Sequence, residues 1–344
     1  MTKAPHGSLA TKRTSGGVFH VYGAPRDNRE VRAASAPPSS RGSSRSAAGF
    51  GDDVETGVRL KERPRSGGAY KLLAVDLDGT LLDKRGVPHD IDLAAMRALH
   101  RKGIAVTIVT GRLYSGTLPS ARAIGLEGAI ACADGSHVAL AACGSTLVHH
   151  GIEDDSLSVV RQACARPHLT TFVFLRDAIL HDDDAASFLP FVSLWSNDIR
   201  HTPSALSSEL TEAPTAIVAL GPEASIRMAM EDIQRKCGGK LQCAAFGVKS
   251  LGDLWGLIIR REVASKGTAL AWLASHHGCT LAETVCVGDW LNDVPMMKVA
   301  GRSFAMGQAP EEVKAIATDV LQETSSIGGG IARVVRELFG VHAY

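Results

Sequence analysis

Leu72-Leu73-Ala74-Val75-Asp76-Leu77-Asp78-Gly79-Thr80 is the stretch on which the reading of this chain turns. Its first four residues form a short continuous apolar run, the pattern of a parallel strand buried on both faces. Two carboxylates follow, two residues apart, where that strand meets a glycine turn. Burying unpaired charge is costly, so carboxylates sit there when something holds them. A divalent cation and a phosphoryl group would do so; the alternative is an exposed strand end with a solvated turn. Four fixed residues at ordinary composition recur by chance at roughly one starting position in 10⁵, which favours the first reading.

Outward from this stretch the pattern repeats. A helical segment opens near Asp90 and runs to Lys102, before Gly103. A second apolar run over residues 104–109 ends at Thr110-Gly111-Arg112, and residues 129–132 look like a third. Strands alternating with helices of this length mean an α/β protein whose parallel sheet is joined by crossover helices. Between residues 139 and 251 the texture differs. Strands are expected there at 170–175, 178–181, 215–220 and 241–246, and helices at 154–165 and 223–237, a self-contained α/β unit inserted into the first. The parallel pattern then resumes with a strand at 254–259, a helix at 267–276, a strand at 284–287 and a last helix at 331–339. The expected organisation is a tail over 1–68, a discontinuous core over 69–138 and 252–344, and an inserted unit over 139–251.

Composition narrows the function classes. With 45% apolar and 21% charged residues, the 344-residue chain has the profile of a soluble globular protein. Residues 1–50 carry eight Lys/Arg against only Asp27 and Glu30, so the remainder is mildly acidic, which argues against a nucleic-acid role for the folded part. No run approaches the eighteen or so apolar residues of a membrane span, so no membrane partner is expected. The seven cysteines form no CxxC pair and no metal-spaced cluster, and read as reduced core residues of a cytoplasmic protein. Residues 1–68, rich in Ser, Gly, Ala, Pro and Arg, read as a disordered tail; a cleaved organelle-targeting segment is the alternative.

Four short motifs fall at expected strand ends or helix starts, where parallel α/β sheets place their ligands. In the first, the Asp76 carboxylate suits nucleophilic attack on phosphorus. Asp78 suits protonation of the leaving oxygen and later deprotonation of water. The second, Thr110-Gly111-Arg112, offers a hydroxyl and a backbone N–H as an anion cradle, though a plain turn explains it as well. The third is Ser265-Lys266-Gly267, with Ser265 placed to cap the following helix. Lys266 lies in the first turn, where the macrodipole disfavours a cation, so either an anion sits beside it or it is a solvated surface lysine. The fourth, Gly288-Asp289-Trp290-Leu291-Asn292-Asp293, sets two more carboxylates at a strand tip as hard oxygen ligands for Mg²⁺. A capping turn needs only one acidic residue.

In this order and at these positions, the four motifs resemble those of the haloacid dehalogenase superfamily, most nearly its Cof-type phosphatases (subclass IIB). The likeness extends from about Lys71 to Phe339. Ala133-Asp134-Gly135 stands where the family usually shows Asn-Gly, and Met306-Gly307-Gln308-Ala309-Pro310-Glu311-Glu312-Val313-Lys314 matches a late loop and helix. The resemblance implies a Rossmann-like parallel core with a smaller α/β cap that chooses the substrate. It implies a Mg²⁺-dependent phosphatase acting through an aspartyl-phosphate on small phosphorylated metabolites, sugar phosphates first. Asp76, Asp78 and Lys266 would be catalytic. Leu77, Thr110, Gly111, Lys266 and Asn292 would hold the phosphoryl group, and Asp76, Asp78 (by its main-chain carbonyl) and Asp289 the metal, with Asp293 in support. Two departures touch specificity. Asp134 adds negative charge near the mouth of the site, and Arg260-Arg261-Glu262-Val263-Ala264 replaces the Pro and Gly common before Lys266.

Two other functions share these motifs: a phosphomutase on sugar phosphates, and a non-enzymatic metabolite-binding or interaction protein. Outside the motifs, His149-His150 and His276-His277 lack zinc spacing and read as surface residues. Asp182-Asp183-Asp184 reads as a turn, and Trp195, Trp255 and Trp272 as packing. Trp290 reads as packing or as a wall of the substrate entrance.

Overall fold

A computed structural model describes residues 69–207, 209–248 and 252–342; the tail expected over residues 1–68 lies outside these. β1 (Leu72–Val75) is a strand with all four side chains buried. After it come α1 (Asp90–Arg101), β2 (Ala105–Ile108), α2 (Tyr114–Ile124) and β3 (Ala129–Cys132). β1 and β2 run parallel with Val75 opposite Ile108, and β3 joins beyond them through a parallel bridge from Val109 to Ala131. A hairpin, β4 (His137–Leu140) and β5 (Thr146–His149), pairs antiparallel with β3. Its two four-residue strands are too short to stand out by periodicity.

The inserted unit follows: α3 (Asp154–Cys164), β6 (Thr170–Phe174), β7 (Ala178–His181), α4 (Leu189–Val192), β8 (Asp198–His201), β9 (Ala216–Pro222), α5 (Glu223–Cys237), β10 (Leu241–Gly247) and β11 (Leu254–Arg261). Its six strands lie in the order β10-β11-β9-β6-β7-β8. Here the structure differs from the sequence reading. The run at 254–259 was expected to return to the parallel sheet, but β11 pairs antiparallel with β9 and β10. Leu257 and Ile259 face the helical side of that sheet and Ile258 the other. A strand covered on both faces looks continuous and apolar in either sheet. The second sheet therefore extends past residue 251 to Arg261, while the hairpin over 137–149 goes with β3.

The chain then returns through α6 (Lys266–His276), β12 (Thr284–Gly288), α7 (Val294–Val299), β13 (Arg302–Ala305), α8 (Glu311–Lys314), β14 (Asp319–Val320) and α9 (Gly330–Phe339). The parallel sheet has the order β14-β13-β12-β1-β2. Alternate residues of each strand feed opposite layers, as strand geometry requires. Leu73, Val75, Val285 and Val287 pack with Met96 and Leu99 of α1 and Val334 and Val335 of α9. Leu72, Ala74 and Cys286 pack with Leu270 and Leu273 of α6 and Met296 and Met297 of α7. This sandwich aligns the C-terminal tips of β1, β2 and β12 along one edge, with Asp76, Thr110 and Asp289 just beyond them.

The inserted sheet docks against that edge. Phe172, Phe174, Val218 and Leu220 on its free face share an apolar cluster with Leu113 and Ala133, which follow β2 and β3. Polar contacts reinforce the seam. The Leu113 N–H donates to the Trp195 carbonyl at 2.7 Å, and the Ser115 N–H to Asp177 Oδ1 at 2.5 Å. No disulfide joins any of the seven cysteines. Among the described residues no helix is long and apolar enough to cross a membrane. His276 and His277 are exposed as expected, but His149 is half-buried and meets the Thr215 hydroxyl at 3.1 Å.

One buried carboxylate ties the two ends of the parallel core together. Asp92 in α1 accepts the N–H groups of Gly329 and Ala332 at 2.8 Å each, capping α9 from another helix. Asp92→Ala strands both donors at a buried helix start, which costs about 2–3 kcal/mol. Urea denaturation should show that loss with an unchanged m-value, and a loss near zero would mean water replaces the carboxylate.

Candidate active site

Asp76 is the first residue past β1, and its N–H donates to the Val287 carbonyl at 3.1 Å, fastening the tips of β1 and β12. Gly79 turns the chain with φ +83°, and a Cβ there would lie 2.2 Å from Asp289 Oδ2. Only glycine lets the two acidic loops come this close. Lys266 opens α6, whose start is fixed by a reciprocal cap: Ser265 Oγ accepts the Thr268 N–H at 3.1 Å, and Thr268 Oγ1 accepts the Ser265 N–H at 3.0 Å. The fully buried Lys266 ammonium donates to Asp76 Oδ1 and Asp293 Oδ1, both at 2.6 Å. Of its two sequence readings, the one with an anion beside it holds. The other Asp293 oxygen accepts the N–H groups of Asp289 and Trp290 at 2.8 and 2.9 Å. Asp289 is buried and receives the Thr80 hydroxyl at 3.2 Å and the Gln308 amide at 3.3 Å.

Asp76, Asp289 and Asp293 bring carboxylate oxygens within 4.8 Å of one another, with one ammonium among them. Fully ionised, the group would lack two positive charges. Burial, with Asp293 adding repulsion, pushes Asp289 up to about 8. Burial also raises Asp76 well above the ordinary carboxylate range; Lys266 opposes this, while Asp293 and Asp289 reinforce it. For Lys266, burial works against the charge, but Asp293, Asp76 and Asp134 outweigh it and keep the ammonium protonated. This donor set fits a divalent cation: hard oxygens and a deficit of two charges, the chemistry Mg²⁺ accepts. Both Asp293 oxygens are committed to Lys266 and to backbone N–H groups, which leaves Asp76 and Asp289 as the carboxylates able to hold an ion. The Asp78 carboxylate is engaged elsewhere, so any part it takes falls to its main-chain carbonyl.

Arg112 explains where Asp78 points. Its guanidinium grips Asp78 with Nε on Oδ2 at 2.8 Å and Nη2 on Oδ1 at 2.5 Å, a bidentate fork. Thr110 is buried, and its hydroxyl accepts the Arg112 N–H at 3.2 Å. Leu77 is a core side chain, so only its backbone faces the edge. Asn292 donates to Asp134 Oδ1 at 2.8 Å, and Asp134 also binds Arg260. Asp134 corrects the sequence reading. It is buried rather than at the mouth, and its charge is cancelled by Arg260.

All nine residues singled out by sequence thus lie about one sheet edge. Arg112, Arg260, Thr80 and Gln308 received no role from sequence. Arg112 and Gln308 stood inside quoted motifs, but their partners, Asp78 and Asp289, are 34 and 19 residues away. Arg260 is 126 residues from Asp134, and no local pattern points across that gap.

A family model described as haloacid dehalogenase-like hydrolase matches residues 73–335. The chain belongs to that family. Phosphatase YwpJ of Bacillus subtilis is 28% identical over 292 residues, covering 78% of this chain and 99% of that protein. HMP-PP phosphatase of Yersinia pestis is 25% identical over 252 residues, covering 71% of this chain and 86% of that one. The solved structure of the subclass IIB sugar phosphatase BT4131 is 20% identical with a TM-score of 0.64, covering 78% of this chain and 99% of its own, and shares the fold.

Two outcomes follow from this geometry. Asp289 keeps its proton up to about pH 8, and that proton must leave before its oxygen binds an ion. Mg²⁺ affinity should therefore climb between pH 6 and 8, by about tenfold per pH unit for the Asp289 proton and more steeply where Asp76 also loses one. Calorimetric titrations across that range read both the affinity and the released proton; an affinity flat with pH would remove Asp289 from the ligand set. Gly79→Ala forces a side chain into the Asp289 carboxylate at a left-handed φ. It should lower the midpoint of thermal unfolding and weaken Mg²⁺ binding together, whereas wild-type binding in the variant would show that the loops need not meet so closely.

Proposed function

We propose that this haloacid dehalogenase-like enzyme is a Mg²⁺-dependent phosphatase that hydrolyses small phosphorylated metabolites, sugar phosphates first, through an aspartyl-phosphate on Asp76. The observation that carries the reading is the buried Lys266 ammonium bridging Asp76 and Asp293 beside Asp289. An acidic group short of two charges, with a carboxylate at the strand tip, suits a phosphoryl group and a divalent ion together. Held by Asp76 and Asp289, Mg²⁺ would offset negative charge on the phosphoryl oxygens.

The chain's own residues supply the remaining steps. Lys266 holds Asp76 through Oδ1, outside which Oδ2 remains for attack. An Asp76 oxygen bonds to phosphorus while the bond from phosphorus to the leaving oxygen breaks, and Asp78 gives that oxygen a proton. Asp78 then takes a proton from water as the water oxygen bonds to phosphorus. The bond from phosphorus to Asp76 breaks, releasing inorganic phosphate and restoring both carboxyl groups. Arg112 occupies both Asp78 oxygens, so each proton transfer requires that fork to open. Thr110, Gly111 and Asn292 cradle the phosphoryl oxygens, with the backbone at Leu77.

The inserted unit supports a small substrate. It covers the strand tips through the Leu113–Ala133 seam, the placing of a lid that excludes water during attack. The names of the Yersinia pestis and subclass IIB relatives suit the same class. Seven cysteines with no disulfide among them support a reducing, cytoplasmic setting.

The test is phosphate release from a panel of phosphorylated metabolites, with and without Mg²⁺, alongside Asp76→Asn. Turnover should need the metal and drop by at least about 10³-fold in the variant. Turnover that survives Asp76→Asn would remove the nucleophile. Rearranged sugar phosphates without free phosphate would make the enzyme a mutase.

A further inference from the structure

We propose that Asp134 and Arg260 form a charge-balanced clamp through which the inserted sheet positions Asn292 and sets how tightly the site binds a phosphoryl group. The inference rests on the phosphatase reading above and deepens it. Asp134 is the second residue past β3, in the left-handed region at φ +53°, next to Ala133 at φ +48°. Two consecutive non-glycine residues in that region are unusual, and the site makes use of what they place there. The Asp134 N–H donates to the Thr110 carbonyl at 2.8 Å. Its Oδ1 accepts Asn292 Nδ2 at 2.8 Å and lies 3.4 Å from where a Cβ on Gly111 would be. One residue therefore joins the pieces of the phosphoryl cradle, Thr110 through its backbone and Asn292 through its side chain, beside Gly111.

Its Oδ2 is bound by Arg260 Nη1, reaching in from β11, and Arg260 Nε is held by Gln242 Oε1 of β10 at 3.0 Å. Both partners are buried, Asp134 with 3% and Arg260 with 6% of their surface exposed. The Asp134 carboxylate would repel a phosphoryl dianion at short range with little solvent screening. Arg260 cancels that charge. The ion pair fastens the inserted sheet to the cradle. With one hydrogen of its amide spent on Asp134, Asn292 keeps a fixed orientation and its other N–H for the phosphoryl oxygens. Asp134 and Arg260 are positioning residues, since each acts through Asn292 and through its field.

The clamp makes a prediction of sign that a purely structural role does not. Calorimetry of inorganic phosphate binding in saturating Mg²⁺ would compare wild type, Asp134→Asn, Arg260→Gln and the double variant. Asp134→Asn removes one negative charge from beside the site while the guanidinium stays, and should tighten phosphate roughly tenfold. Arg260→Gln removes the nearer of the two positive charges that offset the carboxylate, Lys266 being the other, and should weaken it by a similar factor, with KM rising more than kcat falls. The double variant should return to within about threefold of wild type, as a coupled pair does. Two single variants that both weaken phosphate, or both leave it unchanged, would overturn the clamp. Should Arg260→Gln not fold, Asp134→Asn still decides: unchanged or weaker binding overturns the proposal. Wild-type phosphate release lost in Asp76→Asn, run in parallel, keeps this outcome separate from a failure of the phosphatase reading itself.

Discussion

A single ammonium shared by two buried carboxylates holds the functional edge together. Without Lys266, Asp76, Asp289 and Asp293 would be three acids in a water-poor pocket with no counter-charge, and removing one partner of a buried pair is strongly destabilising. Each neighbouring feature serves that arrangement. The reciprocal cap of Ser265 and Thr268 sets where α6 begins and so where the ammonium lies. Asp293 gives one oxygen to Lys266 and the other to the N–H groups of Asp289 and Trp290, shaping the loop after β12. The pairing remains deliberately short of positive charge, and the raised pKa of Asp289 is the physical trace of that deficit.

The acidic group and the sheet that covers it belong to different layers and meet along a narrow seam. The parallel core carries the carboxylates, while the inserted sheet approaches through an apolar seam at Leu113 and Ala133 and through the Arg260 guanidinium. Leu113 and Ala133 follow the tips of β2 and β3, next to Arg112 and Asp134. Movement of the inserted sheet is therefore transmitted first to the side chains that hold Asp78 and Asn292.

Much of this was legible in the chain. The apolar run Leu72–Val75 identified a strand buried on both faces, and the acids after it marked the strand tip. The motifs at 110–112, 265–267 and 288–293 fell at the ends of real elements. What escaped was pairing. The run at 254–259 had the right composition for the parallel sheet, yet β11 lies in the other one, because double burial leaves the same pattern in either. Lys266 read equally as a surface residue, since burial of an ammonium shows only when Asp76 and Asp293 are seen around it. Asp134 read as an added charge for want of Arg260. Local sequence reports period and burial; it does not report which distant residue answers a charge.

The spacing of the site along the chain also governs how the protein is made. Asp76 and Lys266 are 190 residues apart, and the whole inserted unit lies between them. During synthesis β1 acquires its neighbour β2 early, but its other edge stays open until β12 arrives. Leu72–Val75 is thus an apolar edge strand for most of translation, the kind of surface that pairs with other chains. A prompt, self-sufficient fold of the inserted unit shortens that exposure by bringing the distant ends of the core together and lowering the entropy lost on closing so long a loop. The unit that covers the finished site is also the spacer that lets the sheet close.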